Sequence, residues 1–506
     1  MAPTVRPGRR HGQAPVRDAV TGDRRDITRP VVPSAVVGEP IGAGPPTMSD
    51  MARSRGRVGG AVRVLLLAVV VMLATAFGVS MATSGHWLWS IERVTDPTAG
   101  DTAVHASARY RAMRLERVAV AEQVLGRRAE ALLSGDEQAY LRVLSSGAAR
   151  LRTTQERIFE NLQGVPFDSW SYRVVDVRLP VQGHETAVAD TFTAHVEAKY
   201  RIDGADLGAV GRGRMMTFTR QGTDWVISAD QAVVGTPSDP WDLGPVDVVR
   251  GDRTTVLVPA GGVVDIDVEA LVTEADQAAD RVDRYWGTNW PRRSVLYVPT
   301  DQRDMARMLG RSEQAGLAQI AAVTTGEVGV QGSGTKDQAG RIIINPASYR
   351  QLGGIGREVI LTHELVHVAT RASNTAAVPV WLSEGFADYI AYQETGLAPS
   401  AVADSAISAV KSGTVPDRLP DRAEFDPRLS AIDPAYAQSW LVVRLIAEQW
   451  SHEALLAVYT EVSSPAGAVN HDADTRTEQA LRHHLGIGTE ELTEQWRDQL
   501  RRLAAS

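Results

Sequence analysis

The clearest pattern in the chain is an alternation over VADTFTAHVEAKYRI, residues 188–202. Val188, Phe192, Ala194, Val196, Ala198, Tyr200 and Ile202 fall on one face, with Asp190 the exception. Thr191, His195, Glu197 and Lys199 fall on the other. Period two of this kind predicts a long antiparallel strand with one buried and one wet face. SYRVVDVRL before it, and RMMTFTR and DWVISA after it, predict its neighbours, the last two joined by a turn at 221–224. Upstream the period is helical: Leu115, Val118, Leu125, Ala129 and Leu132 share one stripe. Gly135 and Asp136 end that helix, Asp136 caps a second one at EQAYLRVL, and a third with Ile158 and Phe159 stops before Pro166.

Pro237, Pro240, Gly244 and Pro245 then mark a linker that ends in the strand TTVLVPA. A helix through EALVTEADQAADRVDRYWG leads to the short apolar strand RSVLYVP. AQIAAVTTGE and GRIIINP are further strand candidates around a glycine-rich turn, and the remainder is mostly helical. Near the start, residues 64–82 run nineteen positions without a charge, close to the ~20 that cross a bilayer as a helix. Arg53, Arg55, Arg57 and Arg63 precede this run and Trp87 and Trp89 follow it. These flanks predict a single-pass anchor with a cytoplasmic N-terminus and everything after it extracytoplasmic. The alternatives are a signal peptide cleaved at SMA (80–82), giving a secreted protein, and a buried core helix.

Composition refines this picture in two ways. There is no cysteine, so thiolate metal sites and disulfides are excluded. The net charge of −8 is uneven: residues 1–63 carry +6, in a Pro-, Gly- and Arg-rich tail without apolar period, leaving −14 for the rest. That acidic remainder excludes nucleic acid as a general partner.

The candidate chemistry lies in IGREVILTHELVHVATR, residues 355–371. His363 and His367 are one helical turn apart and project to the same side. Two imidazoles so placed can share one zinc ion, with Glu364 beside the first as general base. Chance would give this arrangement in only ~1% of chains this long. Downstream, PVWLSEGFADYIAY reads as a second helix entered from Pro379. Glu384 is the natural third zinc ligand there, and Asp388, four residues on, can hold the far nitrogen of a ligand histidine.

HELVH followed by WLSEGFADY resembles the gluzincin metallopeptidases, in particular the peptidase-MA-like domains, over roughly 265–500. The resemblance implies a thermolysin-like, mostly helical catalytic domain with a small sheet. It implies His363, His367 and Glu384 on Zn2+, a zinc-bound water activated by Glu364, and Asp388 behind a ligand. It also implies a later Tyr or His that stabilises the oxyanion; Tyr436 is the best-placed candidate, with His452, His471, His483 and His484 as rivals. The run Glu384–Ala387 also matches the M1 aminopeptidases, but the spacing from His367 to Glu384 is shorter than in that family. The motif that grips a free amino terminus is missing too; AAVTTGE, ending at Glu327, stands in its place. Endo- and aminopeptidase therefore both stay open. The helices and long strands of 106–232 resemble a nuclear-transport-factor-2-like (NTF2-like) domain.

The expected protein is an α+β multidomain chain. It has a disordered basic cytoplasmic tail (1–63), a transmembrane helix (64–82) and a linker (83–105). An NTF2-like domain (106–232), a second linker (233–262) and a gluzincin-like metallopeptidase domain (263–506) follow. The expected function is membrane-anchored, zinc-dependent hydrolysis of a peptide or protein substrate. The other readings are a non-catalytic binding or scaffold protein with a peptidase-like fold, and a zinc hydrolase of a non-peptide substrate. A peptide would lie along an exposed strand edge near 318–328.

Overall fold

The computed structural model describes residues 97–180, 190–325, 340–428, 431–464 and 472–505. They fold as an α+β structure with two sheets and belong to one compact unit, Ser90–Ser506.

The chain first forms helix α1 (Pro97–Leu133), α2 (Glu137–Arg142) and α3 (Ala149–Leu162). Asp136 caps α2 by accepting from the Ala139 amide. A meander of four antiparallel strands follows: β1 (Phe167–Arg178), β2 (Thr191–Ile202), β3 (Val210–Gln221) and β4 (Asp224–Ala232). Along β2 every even residue is buried and every odd one half-buried, the alternation seen in the sequence. Phe192 and Phe218 stack across β2 and β3 at 4.9 Å. The helical stripe departs from expectation at one end: Leu125, Ala129 and Leu132 are buried, but Leu115 is 71% exposed. A 37-residue helix is ~55 Å long, more than a 12-residue strand can cover, so its first turns overhang the sheet.

The second sheet has the order β5-β6-β7-β9-β8. It comprises β5 (Val246–Arg250), β6 (Thr254–Pro259), β7 (Ser294–Tyr297), β8 (Ala322–Thr324) and β9 (Arg341–Ile344). β5 and β6, a hairpin, lie within the stretch read as a linker. β6, β7 and β9 run parallel, while β8 pairs antiparallel with β9 and forms the far edge. Both faces of this sheet are buried, in different cores. Leu257, Val295, Tyr297 and Ile343 pack with the upstream helices and meander. Val256, Leu296, Ile342 and Ile344 pack with the downstream helices. These are α4 (Val268–Tyr285), α5 (Gly354–Ser373), α6 (Val380–Ala391), α7 (Asp433–Gln449), α8 (His452–Ser463), α9 (Ala473–Leu485) and α10 (Thr489–Ala505).

A buried polar network crosses from the first sheet to the second. Arg341 on β9 donates twice to Asp206, at 2.6 and 2.8 Å, and once to the Tyr297 hydroxyl at 2.9 Å. Tyr297 and Tyr200 hydroxyls are 3.3 Å apart, and Tyr200 donates to Asp239, which Arg212 also holds. The Arg341 and Asp206 side chains are at most 2% exposed, so among the described residues each is the other's ion-pair partner in a setting without bulk water.

One expectation is corrected. Among the described residues no helix is long and apolar enough to cross a membrane. The long helices fail for a simple reason: α1 carries Arg109, Arg111, Arg114, Glu116 and Arg117 within nine residues, and α5 carries Arg357, Glu358, Glu364 and Arg371. The expected span at 64–82 and the basic tail before it lie outside the described residues. The single-pass assignment, with a cytoplasmic N-terminus and an extracytoplasmic catalytic domain, is withdrawn.

Candidate metal centre

Helix α5 enters the downstream core so completely that every residue from Leu361 to Thr370 is buried. Two polar faces of this stretch are nevertheless kept. His363 and His367 point to one side, their ring centroids 4.8 Å apart and their Nε2 atoms 3.1 Å apart. Glu364 points toward β8, where its Oε2 accepts a 2.6 Å hydrogen bond from the Thr324 hydroxyl.

Helix α6 brings the third group. It begins directly after Pro379, and Glu384 sits one turn inside it. Glu384 Oε2 lies 3.2 Å from His363 Nε2 and 3.3 Å from His367 Nε2. The next residue, Gly385, faces the other neighbour of α6, helix α7. A Cβ there would lie 2.4 Å from the Ser439 carbonyl oxygen of α7, so only glycine lets α6 and α7 pack this closely. One turn further on, Asp388 Oδ1 sits 2.8 Å from His363 Nδ1. That pairing places the Nδ1 proton toward Asp388 and turns the Nε2 lone pair toward the cluster.

Helix α7 contributes Tyr436. Its ring centroid is 6.0 Å from that of His363, and it lines the cleft together with Glu384. Phe425 braces the ring edge-on at 5.2 Å. Of the rivals named from the sequence, His452 is engaged by the Tyr285 carbonyl at 2.8 Å. His483 and His484 both bind Glu461 at 2.8 Å, a second cluster on α8 and α9. None of these three lines the cleft. His471 and Glu327 lie outside the described residues.

The electrostatics of the cluster call for positive charge among its donors. Burial alone would drive the His363 imidazole toward its neutral form, but the charges and hydrogen bonds of Asp388 and Glu384 outweigh it and hold its pKa well above the usual range. Burial would likewise raise Glu384, yet His367 and His363 hold it well below the usual carboxylate range. Asp388 is pushed up, chiefly by burial against the opposing pull of His363. Burial, reinforced by Glu384, Asp388 and Glu364, keeps the Tyr436 hydroxyl protonated far above its ordinary titration range.

The donor set fits a zinc ion. Tetrahedral zinc with bonds of ~2.0–2.1 Å separates its N and O donors by roughly 3.3 Å. The three edges here, 3.1, 3.2 and 3.3 Å, fall at or just under that value. His363, His367 and Glu384 would hold the ion, and the cleft leaves a fourth side open. The cleft has a volume of about 450 Å³ and is bounded by β8, α5, α6, the Arg422–Arg428 segment and Tyr436.

Thr324 is the functional contact that sequence reasoning missed. It lies on another strand, forty residues before Glu364, and no period or motif links the two.

No family model matches the chain, and no curated protein matches it in sequence. Solved structures of M1 zinc metallopeptidases are among its structural neighbours. A two-domain M1 zinc metallopeptidase mutant bound to L-arginine aligns with 55% of this chain and 58% of its own length, at 13% identity and a TM-score of 0.30. A mutant bound to L-tryptophan aligns with 66% and 71%, at 13% identity and a TM-score of 0.32. An M1 zinc metallopeptidase from Deinococcus radiodurans aligns with 66% and 70%, at 13% identity and a TM-score of 0.30. The chain thus spans 58% of the length of the first of these.

Proposed function

We propose that the protein is a zinc-dependent metallopeptidase that hydrolyses peptide bonds in the cleft between β8 and α6. The observation that carries this reading is the convergence of His363, His367 and Glu384 within 3.3 Å of one another, with the Glu364 carboxylate buried beside them. Zinc bound there would polarise the scissile carbonyl and make water a stronger acid.

The chain's own residues divide the remaining work. Glu364 takes a proton from the water whose oxygen bonds to the carbonyl carbon. It then passes that proton to the amine nitrogen as the C–N bond breaks. Thr324 holds the carboxylate in the pose from which both transfers are made. Tyr436, kept protonated by its surroundings, donates a hydrogen bond to the oxygen that gains charge. Asp388 fixes the His363 tautomer. β8 is a sheet edge. Its residues 321 and 325 pair inward with β9, so alternation turns the Ala322 peptide groups and the Thr324 amide outward for a substrate strand, while the Thr324 carbonyl is held by Arg371. We further read the upstream lobe, three helices and a four-stranded bulged meander, as NTF2-like.

The test is metal content together with cleavage of a mixed peptide library by the full chain, by Glu364→Gln and by Tyr436→Phe. Wild type should bind one zinc at this centre and cleave. Glu364→Gln, which leaves the metal-binding residues intact, should bind zinc and lose nearly all cleavage. Tyr436→Phe should lose about 10²–10³-fold in kcat with little change in KM. A wild type that binds zinc and cleaves nothing, or a Glu364→Gln chain that cleaves as well as wild type, sinks the proposal.

A further inference from the structure

His483 and His484 enter the sequence reading only as rivals for the oxyanion, yet the structure gives them a partner of their own. They lie in the last turn of α9, which ends at Gly486 in the left-handed region. Their ring centroids are 4.4 Å apart, with 31° between the ring planes. Both rings reach across to Glu461 on α8. His483 Nδ1 and His484 Nε2 are each 2.8 Å from the same carboxylate oxygen, Oε2. The neighbouring cation on α9, Arg482, is engaged by Glu478 at 2.6 Å.

The donor set is that of the cleft, two imidazole nitrogens and one carboxylate oxygen supplied by two helices. One ligand atom from each of the three residues lies within 4.8 Å of the other two. Imidazole and carboxylate donors together suit zinc. With bonds of ~2.0–2.1 Å, tetrahedral zinc asks for donor spacings of roughly 3.3 Å. The two 2.8 Å spacings would open by about half an ångström to meet that. The side chains have room to do so, because His483 is 69% exposed and Glu461 36%. The same exposure leaves water free to take the fourth position.

The placement gives an ion here something to hold. Glu461 lies two residues before Ser463, whose carbonyl accepts from the Thr375 and Ala376 amides at 2.8 and 2.9 Å. On α9, Arg476 donates to the carbonyls of Val462 and Ala377. Ala376 and Ala377 line the cleft. Helices α8 and α9 thus jointly support the segment that leads from α5 to α6, and an ion shared by Glu461 and the two histidines would tie one helix to the other.

We propose that Glu461, His483 and His484 form a second zinc site, outside the cleft, that clamps α8 to α9. The proposal does not depend on the peptidase reading.

The test uses metal-free full-length protein loaded with zinc alone, freed of excess and counted by atomic emission. Wild type should hold one more zinc than His483→Gln or Glu461→Gln. In each variant the affinity for that ion should fall by more than about 100-fold, since even a residue that only supports a ligand is worth about 10- to 100-fold. His483 is largely exposed, so its replacement should leave the fold intact, and Glu461→Gln repeats the test from the other helix. Glu384→Gln should keep the ion at Glu461, which separates this site from the one in the cleft. Zinc should also raise the thermal midpoint of wild type more than that of His483→Gln. Equal zinc counts in wild type and either variant overturn the site, whatever the cleft binds. One ion fewer with an equal rise in midpoint keeps the site and refutes the clamp.

Discussion

Replacing Thr324 by valine removes one hydroxyl and keeps the shape of the side chain. In the structure that hydroxyl is 5% exposed as a residue and donates to Glu364 Oε2 at 2.6 Å and to the Glu364 carbonyl at 3.1 Å. The Thr324 hydroxyl bonds to Glu364 and not to His363, His367 or Glu384, so the metal should bind as before. What is lost is a short hydrogen bond to a charged acceptor, worth about 1.5–3 kcal/mol, which corresponds to about a 10- to 150-fold fall in kcat. The loss should appear in kcat rather than KM, because the bond holds Glu364, the general base of the proposed mechanism, and not the substrate. The assay is steady-state cleavage of a fluorogenic peptide with zinc content measured on the same samples. Thr324→Ser should recover most of the rate, since it restores the hydroxyl and drops only a methyl group. The reasoning is refuted if Thr324→Val stays within twofold of wild type with full zinc, or if Thr324→Ser is as slow as Thr324→Val.

Three further outcomes are expected. Asp388→Ala, which frees the His363 ring, should weaken zinc binding by about 10- to 100-fold in a chelator competition, and equal affinity would refute a role for Asp388. Asp206→Ala leaves the Arg341 guanidinium buried and unpaired, and should cost about 3–5 kcal/mol, read as a lower urea midpoint. Asp206→Leu with Arg341→Met should recover much of that loss; failure to do so would mean the cost is packing rather than an orphaned charge. Asp242 tests pH dependence. Burial and the Asp239 charge raise its carboxyl to about 6, above its unfolded value near 3.8. The folded state therefore holds the proton more tightly, and this contribution is fully present below the unfolded pKa and lost as pH rises through about 6. Asp242→Asn keeps an acceptor for the Asp239 amide and should stabilise the protein at pH 8, by about 1–3 kcal/mol after allowance for its partial exposure, and scarcely at pH 4. A gain that does not change with pH would rule this cause out.

How much of this was legible follows from where each signal lives. His363, His367, Glu384 and Asp388 declare themselves because helical spacing converts sequence offsets into shared faces. Their convergence is another matter, since it depends on how α5 packs against α6, which no offset within either helix encodes, while the close approach of α7 with Tyr436 needs Gly385. β2 could be read because one of its faces is wetter than the other. β6, β7 and β9 show mostly apolar runs, since both of their faces are buried, and a strand covered on both sides loses its alternation. The sharing of that sheet between two cores was invisible for the same reason. Arg341 and Asp206 gave no sign either: a buried ion pair across 135 positions leaves no local pattern. Tyr436 was reached through a family resemblance rather than through any spacing of its own.

The doubly covered sheet has a consequence for how this molecule can be cut. A chain starting at residue 263 keeps every metal-binding side chain but forfeits β5 and β6, baring one edge of β7 and the flank formed by Val295, Tyr297 and Ile343. Such a fragment would present greasy strand surface and a widowed Arg341 to water. The minimal stable piece therefore includes the upstream half, which serves as the floor on which the half bearing the His363–His367–Glu384 cluster is laid.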